Sequence, residues 1–264
     1  MINKLIIVIN NLIKLKNFSE VLSKIQNKFE KNTKKESIDW AKSNLTPIEA
    51  FCSSKNKILW KKCEKEYREI EKKIKLKLKD EPDIILSGGI LPLIYFLVLL
   101  KKPKNVFETG VAYGFSTEVI LSAIQKNQIG HLFSSDLPYY KIRSPKKIIG
   151  KIVSMDFKKN WTLDLRGDHI SLKNFLTYIN KVDFLHYDSD KSYNGRKKTI
   201  KKTLKYFTAS ATLIMDDIQD NIFFKNFVEK NKLKYHVFHY QDKYVGLIEN
   251  IGFQINNTKK EIKF

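Results

Sequence analysis

Apolar residues in the first 80 positions recur at helical spacing: Leu5, Ile9, Leu12 and Ile13, then Ile58, Leu59, Cys63, Tyr67, Ile70 and Ile74. No glycine and a single proline, Pro47, interrupt this stretch, which predicts a helical N-terminal region over 1–80. Past Glu81-Pro82-Asp83 and Gly88-Gly89 the texture changes to short β-rich runs alternating with helical ones. The runs cover 105–108, 131–136, 161–165, 182–188, 211–216, 235–238 and 244–248. Stretches such as Thr117–Gln125 and Gly195–Phe207 leave room for crossover helices, so the sheet should be mainly parallel. The last two runs are close enough for an antiparallel hairpin through Gln241-Asp242-Lys243. The expected architecture is α/β: a doubly wound, seven-stranded, mostly parallel sheet over 81–264 ending in a hairpin, preceded by the helical extension. No internal repeat competes with it.

Two runs are more continuously apolar. Ile90–Leu100 is too short to span a bilayer and carries Pro92 near its start, so it reads as a helix buried in protein. Met1–Asn11 is interrupted by Asn10-Asn11 and has no cleavage signal; it reads as a packed helix, with docking on a membrane surface as the alternative. With 264 residues, 42% of them hydrophobic and 12% aromatic, the chain has ample material for a core and is not a disordered polycation.

Charge changes this picture less than its size suggests. The formal net charge is +21, the footprint expected of a polyanion-binding protein. Yet Arg68, Arg143, Arg166 and Arg196 are the only arginines, and lysine is a solvated point charge rather than a bidentate reader of phosphate or guanine. Lysine, asparagine and isoleucine, all with A/T-rich codons, are abundant together, so solvated lysine faces are the simpler account. Cys52 and Cys63 are the only cysteines and have no zinc spacing, which fits a reduced, cytoplasmic setting.

The candidate chemistry sits at strand ends. The first run leads into Glu108-Thr109-Gly110-Val111-Ala112-Tyr113-Gly114-Phe115-Ser116 and then an amphipathic helix. Small residues at 110, 112 and 114 let the backbone approach a ligand, and the helix N-terminus offers free N–H groups. Asp136 ends the second run, where an acid can accept both ribose hydroxyls of a nucleotide. Gly167-Asp168 follows the third, placing an acid near an adenine amino group; each acid alone could equally cap a helix. The fourth and fifth runs deliver Asp188-Ser189-Asp190-Lys191-Ser192-Tyr193 and Asp216-Asp217, carboxylates that converge in a parallel sheet. Such like charges need protons or a cation between them, and hard oxygen ligands favour Mg²⁺, Mn²⁺ or Ca²⁺. The alternatives are that Asp217 caps a helix and that Asp190 pairs with Lys191. His186 lies inside the fourth run and reads as a packing residue, and Asp136-Leu137-Pro138-Tyr139 reads as a turn.

Taken in order, these three segments resemble the motifs of class I S-adenosylmethionine-dependent methyltransferases. The likeness is greatest to metal-dependent O-methyltransferases related to catechol and caffeoyl-CoA O-methyltransferases and to bacterial sugar and macrolide methyltransferases. It covers roughly residues 81–250 and implies a Rossmann-like fold. It also implies that Glu108, Gly110 and Ser116, with Ala112, Tyr113 and Gly114 of the same turn, lie against the cofactor's methionine part. Asp136 would hold the ribose and Asp168 would lie near adenine. Asp188, Asp216 and Asp217 match the metal ligands, Asp188 also bordering the cofactor, and Lys191 matches the general base. Asp217 stands where many relatives have Asn, which adds a negative charge.

The expected activity is metal-assisted O-methylation of a small hydroxylated molecule or sugar. The basic stretch Tyr139–Asn160, with Lys141, Arg143, Lys146 and Lys147, reads as a lid or substrate wall suited to an anionic conjugate. The alternatives are an RNA or DNA methyltransferase using the basic surface and a non-catalytic cofactor-binding protein. Homo-oligomerisation is compatible with all three.

Overall fold

The computed structural model describes residues 32–79, 88–138, 145–258 and 261–264. The apolar start Met1–Asn11, the break at Glu81-Pro82-Asp83, and Tyr139, Lys141 and Arg143 of the basic stretch lie outside the described residues.

Alternation of apolar residues at the expected runs produces seven strands: β1 (Asn105–Thr109), β2 (His131–Ser135), β3 (Trp161–Asp164), β4 (Val182–Tyr187), β5 (Phe207–Met215), β6 (His236–Tyr240) and β7 (Lys243–Ile248). They form one sheet in the order β3-β2-β1-β4-β5-β7-β6. The first five pair parallel, and β7 runs antiparallel between β5 and β6. Strand β5 starts four residues earlier than the run Ala211–Asp216, because the small, half-exposed to exposed Thr208-Ala209-Ser210 separate buried Phe207 from that run. The C-terminal hairpin is one residue tighter than expected: Lys243 is the first residue of β7, leaving Gln241-Asp242 as the turn, with Gln241 at φ +54°.

Among the described residues eight helices surround the sheet: α1 (Lys34–Ser43), α2 (Ile48–Lys77), α3 (Leu91–Lys101), α4 (Phe115–Asn127), α5 (Asp168–Tyr178), α6 (Tyr193–Thr203), α7 (Phe223–Lys230) and α8 (Ile251–Asn257). Side chains alternate across each strand, so β1 sends Val106 and Glu108 to one face and Phe107 and Thr109 to the other. One face carries α2, α3 and α4 over Val106, Phe184 and Ile214; the other carries α5 to α8 and Ala41 of α1 over Phe107, Leu185 and Leu213. Helix α3 is apolar all round and buried from Leu91 to Leu99, as a helix between layers should be. Pro92 occupies its first turn, where no N–H donor is needed, and Lys102 closes it in the left-handed conformation. No helix among the described residues is long and apolar enough to cross a membrane.

The N-terminal helices are not an appendage. Helix α2 breaks at Asn56, whose side chain caps the second half by accepting the Leu59 N–H at 2.9 Å. Its apolar residues Phe51, Cys52, Trp60, Cys63, Tyr67 and Ile74 join the same core as β1, β4 and β5. Each large side chain buried this way contributes about 1.5–3 kcal/mol. Between α1 and α2 the chain crosses the outer edge of β6, where Thr46 N donates to Val237 O at 2.7 Å and Leu45 bridges Val237. Helix α1 therefore lies on one face and α2 on the other, with the β6 edge covered between them.

Candidate active site

In the parallel register Thr109 lies beside both Ser135 and Tyr187, and Tyr187 lies beside Met215. The next residue of each strand, Gly110, Asp136, Asp188 and Asp216, therefore emerges at one edge of the sheet. Asp188 N donates to Thr109 O and Asp216 N to Tyr187 O, both at 2.9 Å, so these acids are fixed by main-chain bonds. Gly110 has φ +84°, and a Cβ there would stand 2.4 Å from Asp188 O; only glycine lets the two strand ends cross. Asp136 accepts the N–H groups of Val111 and Ala112 at 2.9 and 2.7 Å and its neighbour's, Leu137, at 2.6 Å. Burial nevertheless raises its carboxyl above the ordinary range. Asp136 thus braces the turn 110–114, with Ala112 exposed at its tip in the left-handed region at φ +47°.

Glu108 and Ser116 are buried and meet each other: Ser116 Oγ donates to Glu108 Oε1 at 2.6 Å, and Thr117 and Ser134 donate to Oε2 at 2.7 and 2.8 Å. A carboxylate with three hydroxyl donors is a satisfied buried charge that ties β1, β2 and the start of α4 together. His186, the cross-strand neighbour of Glu108, is also buried, its Nδ1 3.7 Å from Glu108 Oε1. Burial alone would lower its basicity, but Glu108, Asp188 and Asp216 outweigh that and raise it.

Part of the basic stretch after β2 is docked. Gly150 N donates to Ala112 O at 2.8 Å and Ile152 N to Tyr113 O at 3.1 Å, while Ile152 and Val153 enter the core. Gly114 is needed where this segment crosses, since a Cβ would lie 2.7 Å from Val153. Glu118 accepts Ser154 N and Lys77 Nζ at 2.7 and 2.9 Å, so the end of α2 reaches the same segment. Lys146 and Lys147 remain exposed.

Asp168 begins α5 and accepts the hydroxyls of Ser135, at 2.6 Å, and Ser189. Burial pushes its carboxyl up to about 6 despite these donors. A carboxyl raised in the folded state favours folding most when protonated, and that contribution fades as pH rises from the unfolded value through 6. Asp168→Asn should therefore gain about 1–2 kcal/mol at pH 7.5 and nothing at pH 4. Urea unfolding at the two pH values checks this, and an equal change at both would sink it.

Three carboxylates converge. Oxygens of Asp188, Asp216 and Asp217 lie within 4.8 Å of one another, and among the described residues this is the group able to hold a metal ion. Asp190 does not belong to it, contrary to the expectation that all four acids of these motifs share one crevice. Its carboxylate turns back to accept Ser192 N at 3.0 Å and abuts Gly195, because the chain must enter α6, whose own cap is Ser192. Asp217 likewise makes no side-chain cap; it sits in the left-handed region at φ +51°, aimed into the cluster.

Two ammonium groups enter the cluster. Lys191 contacts Asp188 and lies 2.9 Å from Asp217 Oδ2; Lys243 lies 3.4 Å from Asp216 Oδ2. Burial would lower Lys191, but Asp188, Asp216 and Asp217 overcome it and hold the ammonium charged. Burial pushes Asp216 up to about 7, reinforced by Asp188, whereas for Asp217 the two lysines outweigh burial and keep it ionised. The backbone of this site rests on Arg196, buried, which donates to Asp217 O at 2.6 Å and Asp216 O at 3.3 Å. Asn221 completes the frame by accepting from Arg196 and donating to Lys191 O at 2.7 Å. Sequence reasoning did not assign Lys243, Arg196 or Asn221 to the site; the rarity of arginine was the one usable signal.

Residues 107–218 match a family described as a methyltransferase domain. No curated protein matches the sequence. Among solved structures, the chain is similar to the O-methyltransferase from Bacillus cereus in complex with SAH, at 13% identity and a TM-score of 0.51, over 68% of this chain and 90% of that one. It is also similar to the SAH-bound methyltransferase PaMTH1 of Podospora anserina, at 14% identity and a TM-score of 0.52, over 68% and 87%. Residues 107–218 thus match a methyltransferase domain, and the chain shares the fold of these two methyltransferases.

Proposed function

We propose that this protein is an O-methyltransferase that uses S-adenosylmethionine and a divalent cation such as Mg²⁺ to methylate a small molecule carrying neighbouring hydroxyls, a sugar or an anionic conjugate among them. The observation that carries this reading is the meeting of Asp188, Asp216 and Asp217 beside Lys191, at the strand ends that also hold the turn 110–114. The donor set suits a hard cation, being all carboxylate oxygen, and Asp216 Oδ1 is buried without a hydrogen-bond partner, as a ligand atom awaiting a cation would be.

In this reading the turn from Gly110 to Gly114, with Ala112, Tyr113 and Ser116, carries the cofactor's methionine part, with Glu108 fixing Ser116 from below. Asp136 offers its remaining lone pairs to the ribose, and Asp168 faces adenine. Asp188, Asp216 and Asp217 hold the cation, which when bound polarises the acceptor's oxygen and lowers its hydroxyl pKa. Transfer breaks the S–CH₃ bond and forms O–CH₃ in line, so alignment supplies much of the rate. Lys191 takes the hydroxyl proton. Its basicity is set by the three carboxylates around it, and when those charges are shared with a cation, burial is left to favour the neutral amine that can accept a proton.

Calorimetry with S-adenosylmethionine, with and without Mg²⁺, followed by turnover on a panel of catechols and sugars, tests this. Cofactor binding is expected with micromolar affinity, and EDTA should abolish turnover until Mg²⁺ or Mn²⁺ is restored. Absence of cofactor binding ends the enzyme reading, and turnover indifferent to EDTA ends the metal role. Salt-dependent RNA binding with methylation of that RNA would replace it with the nucleic-acid reading. Free, buried Cys52 and Cys63, their thiols pushed up to about 12 by burial, suit a reducing, cytoplasmic setting.

A further inference from the structure

Lys243 opens β7 and projects from the hairpin into the acid cluster, 3.4 Å from Asp216 Oδ2 and 3.7 Å from Asp217 Oδ1. Both distances exceed the roughly 2.7–2.9 Å of a well-made charge-assisted hydrogen bond. Lys191 is held differently: it contacts Asp188, lies 2.9 Å from Asp217, and its backbone is pinned by Asn221. Lys243 keeps 32% of its side chain exposed, on a flexible four-carbon stem with a route to water. Its contact with Asp216 is on Oδ2 and leaves buried Oδ1 without a partner, so the ammonium offsets the charge of the site without filling it.

Three carboxylates thus face two ammonium ions, one locked and one loose. A divalent ion seated among the same carboxylates would bring like charge against Lys243, and the loosely held group is the one able to leave. We propose that Lys243 is a built-in, displaceable counter-ion of the Asp188, Asp216 and Asp217 site, neutralising it when no divalent ion is bound and withdrawing when one binds. This rests on the cation reading above and adds to it a residue that competes with the metal. It makes cation binding weaker than the carboxylates alone would allow, and it frees an ammonium at the crevice mouth once the cation is in place.

The test is direct binding of Mn²⁺ by calorimetry to the wild-type protein, Lys243→Met and Lys243→Arg, with thermal unfolding in EDTA and in Mn²⁺. Removing a charge at this distance from two carboxylates should tighten Mn²⁺ binding about tenfold in Lys243→Met. Lys243→Arg, which keeps the charge, should stay within about threefold of wild type. The metal-free Met variant should melt lower, its carboxylates being less compensated, and its Mn²⁺-induced rise in Tm should exceed that of wild type. Lys243→Gln serves if the Met variant does not fold. Binding by wild type with no tightening in Met or Gln overturns the role of Lys243 and leaves the cation reading standing. Absence of Mn²⁺ binding in every protein overturns both, whereas binding by the variant alone supports the displacement in its strongest form.

Discussion

Lys191→Met is expected to lower turnover about 10²–10⁴-fold, while S-adenosylmethionine binding stays within about threefold. Methionine preserves much of the buried stem, and the main chain at 191 stays fixed through its carbonyl's bond to Asn221, so what is lost is the proton acceptor and the charge. Stability should fall as well. Asp188, Asp216 and Asp217 raise Lys191 above the ordinary lysine value, so its contribution is present at neutral pH and is lost only as pH climbs through that raised value. The Met variant should therefore be weaker than wild type at pH 7, with the gap closing in strongly alkaline solution. Steady-state kinetics at saturating Mg²⁺ decides between chemistry and charge balance. Turnover within tenfold of wild type would leave Lys191 a counter-ion only.

Arg196→Met should cost about 2–4 kcal/mol, because the Asp216 and Asp217 carbonyls lose this donor together and Asn221 Oδ1 keeps only Phe223 N. The guanidinium is wholly buried and serves main-chain oxygens on both sides of the Asp216-Asp217 peptide. That peptide leads into Asp217 at positive φ, a conformation an aspartate holds only when its surroundings impose it. The variant should also bind Mn²⁺ more weakly, since its ligands lose their frame. Arg196→Lys should not rescue it, as one ammonium cannot reproduce a planar fork. Urea unfolding measures the first effect, and a loss below about 1 kcal/mol would show that the loop holds itself.

The parallel strands and the meeting of strand-end acids were legible because each parallel strand carries its own apolar run and ends on a polar residue one step past the ladder. Asp136, Asp188 and Asp216 all follow this rule. Asp190 broke it, because proximity in sequence to Asp188 says nothing about which way a carboxylate points once the chain turns into a helix. Lys243 was hidden by a single residue of hairpin register. Counted as a turn residue it would face water, but as the first residue of β7 it faces the acids. The early start of β5 escaped because exposed Ala209 and Ser210 interrupt the apolar signal between Phe207 and Ala211. The placing of β7 between β5 and β6 depends on long-range pairing that no local pattern records.

The covered edge of β6 has a consequence for how the chain reaches its folded state. Thr46 and Leu45 find their partner in Val237, and Ser37 donates its hydroxyl to carbonyls of Ile218 and Asn221, so the first described segments wait for some of the last. At ribosomal speeds of about 5–20 residues per second, the delay is roughly 10–40 s. During that interval α2 can settle on α3, its near neighbour in sequence, while Phe51 lacks the His236 and Phe238 rings it will rest on. Sheet completion and the covering of its β6 edge are therefore one late event, since Leu45 and Thr46 have nothing to pair with until Val237 is in place.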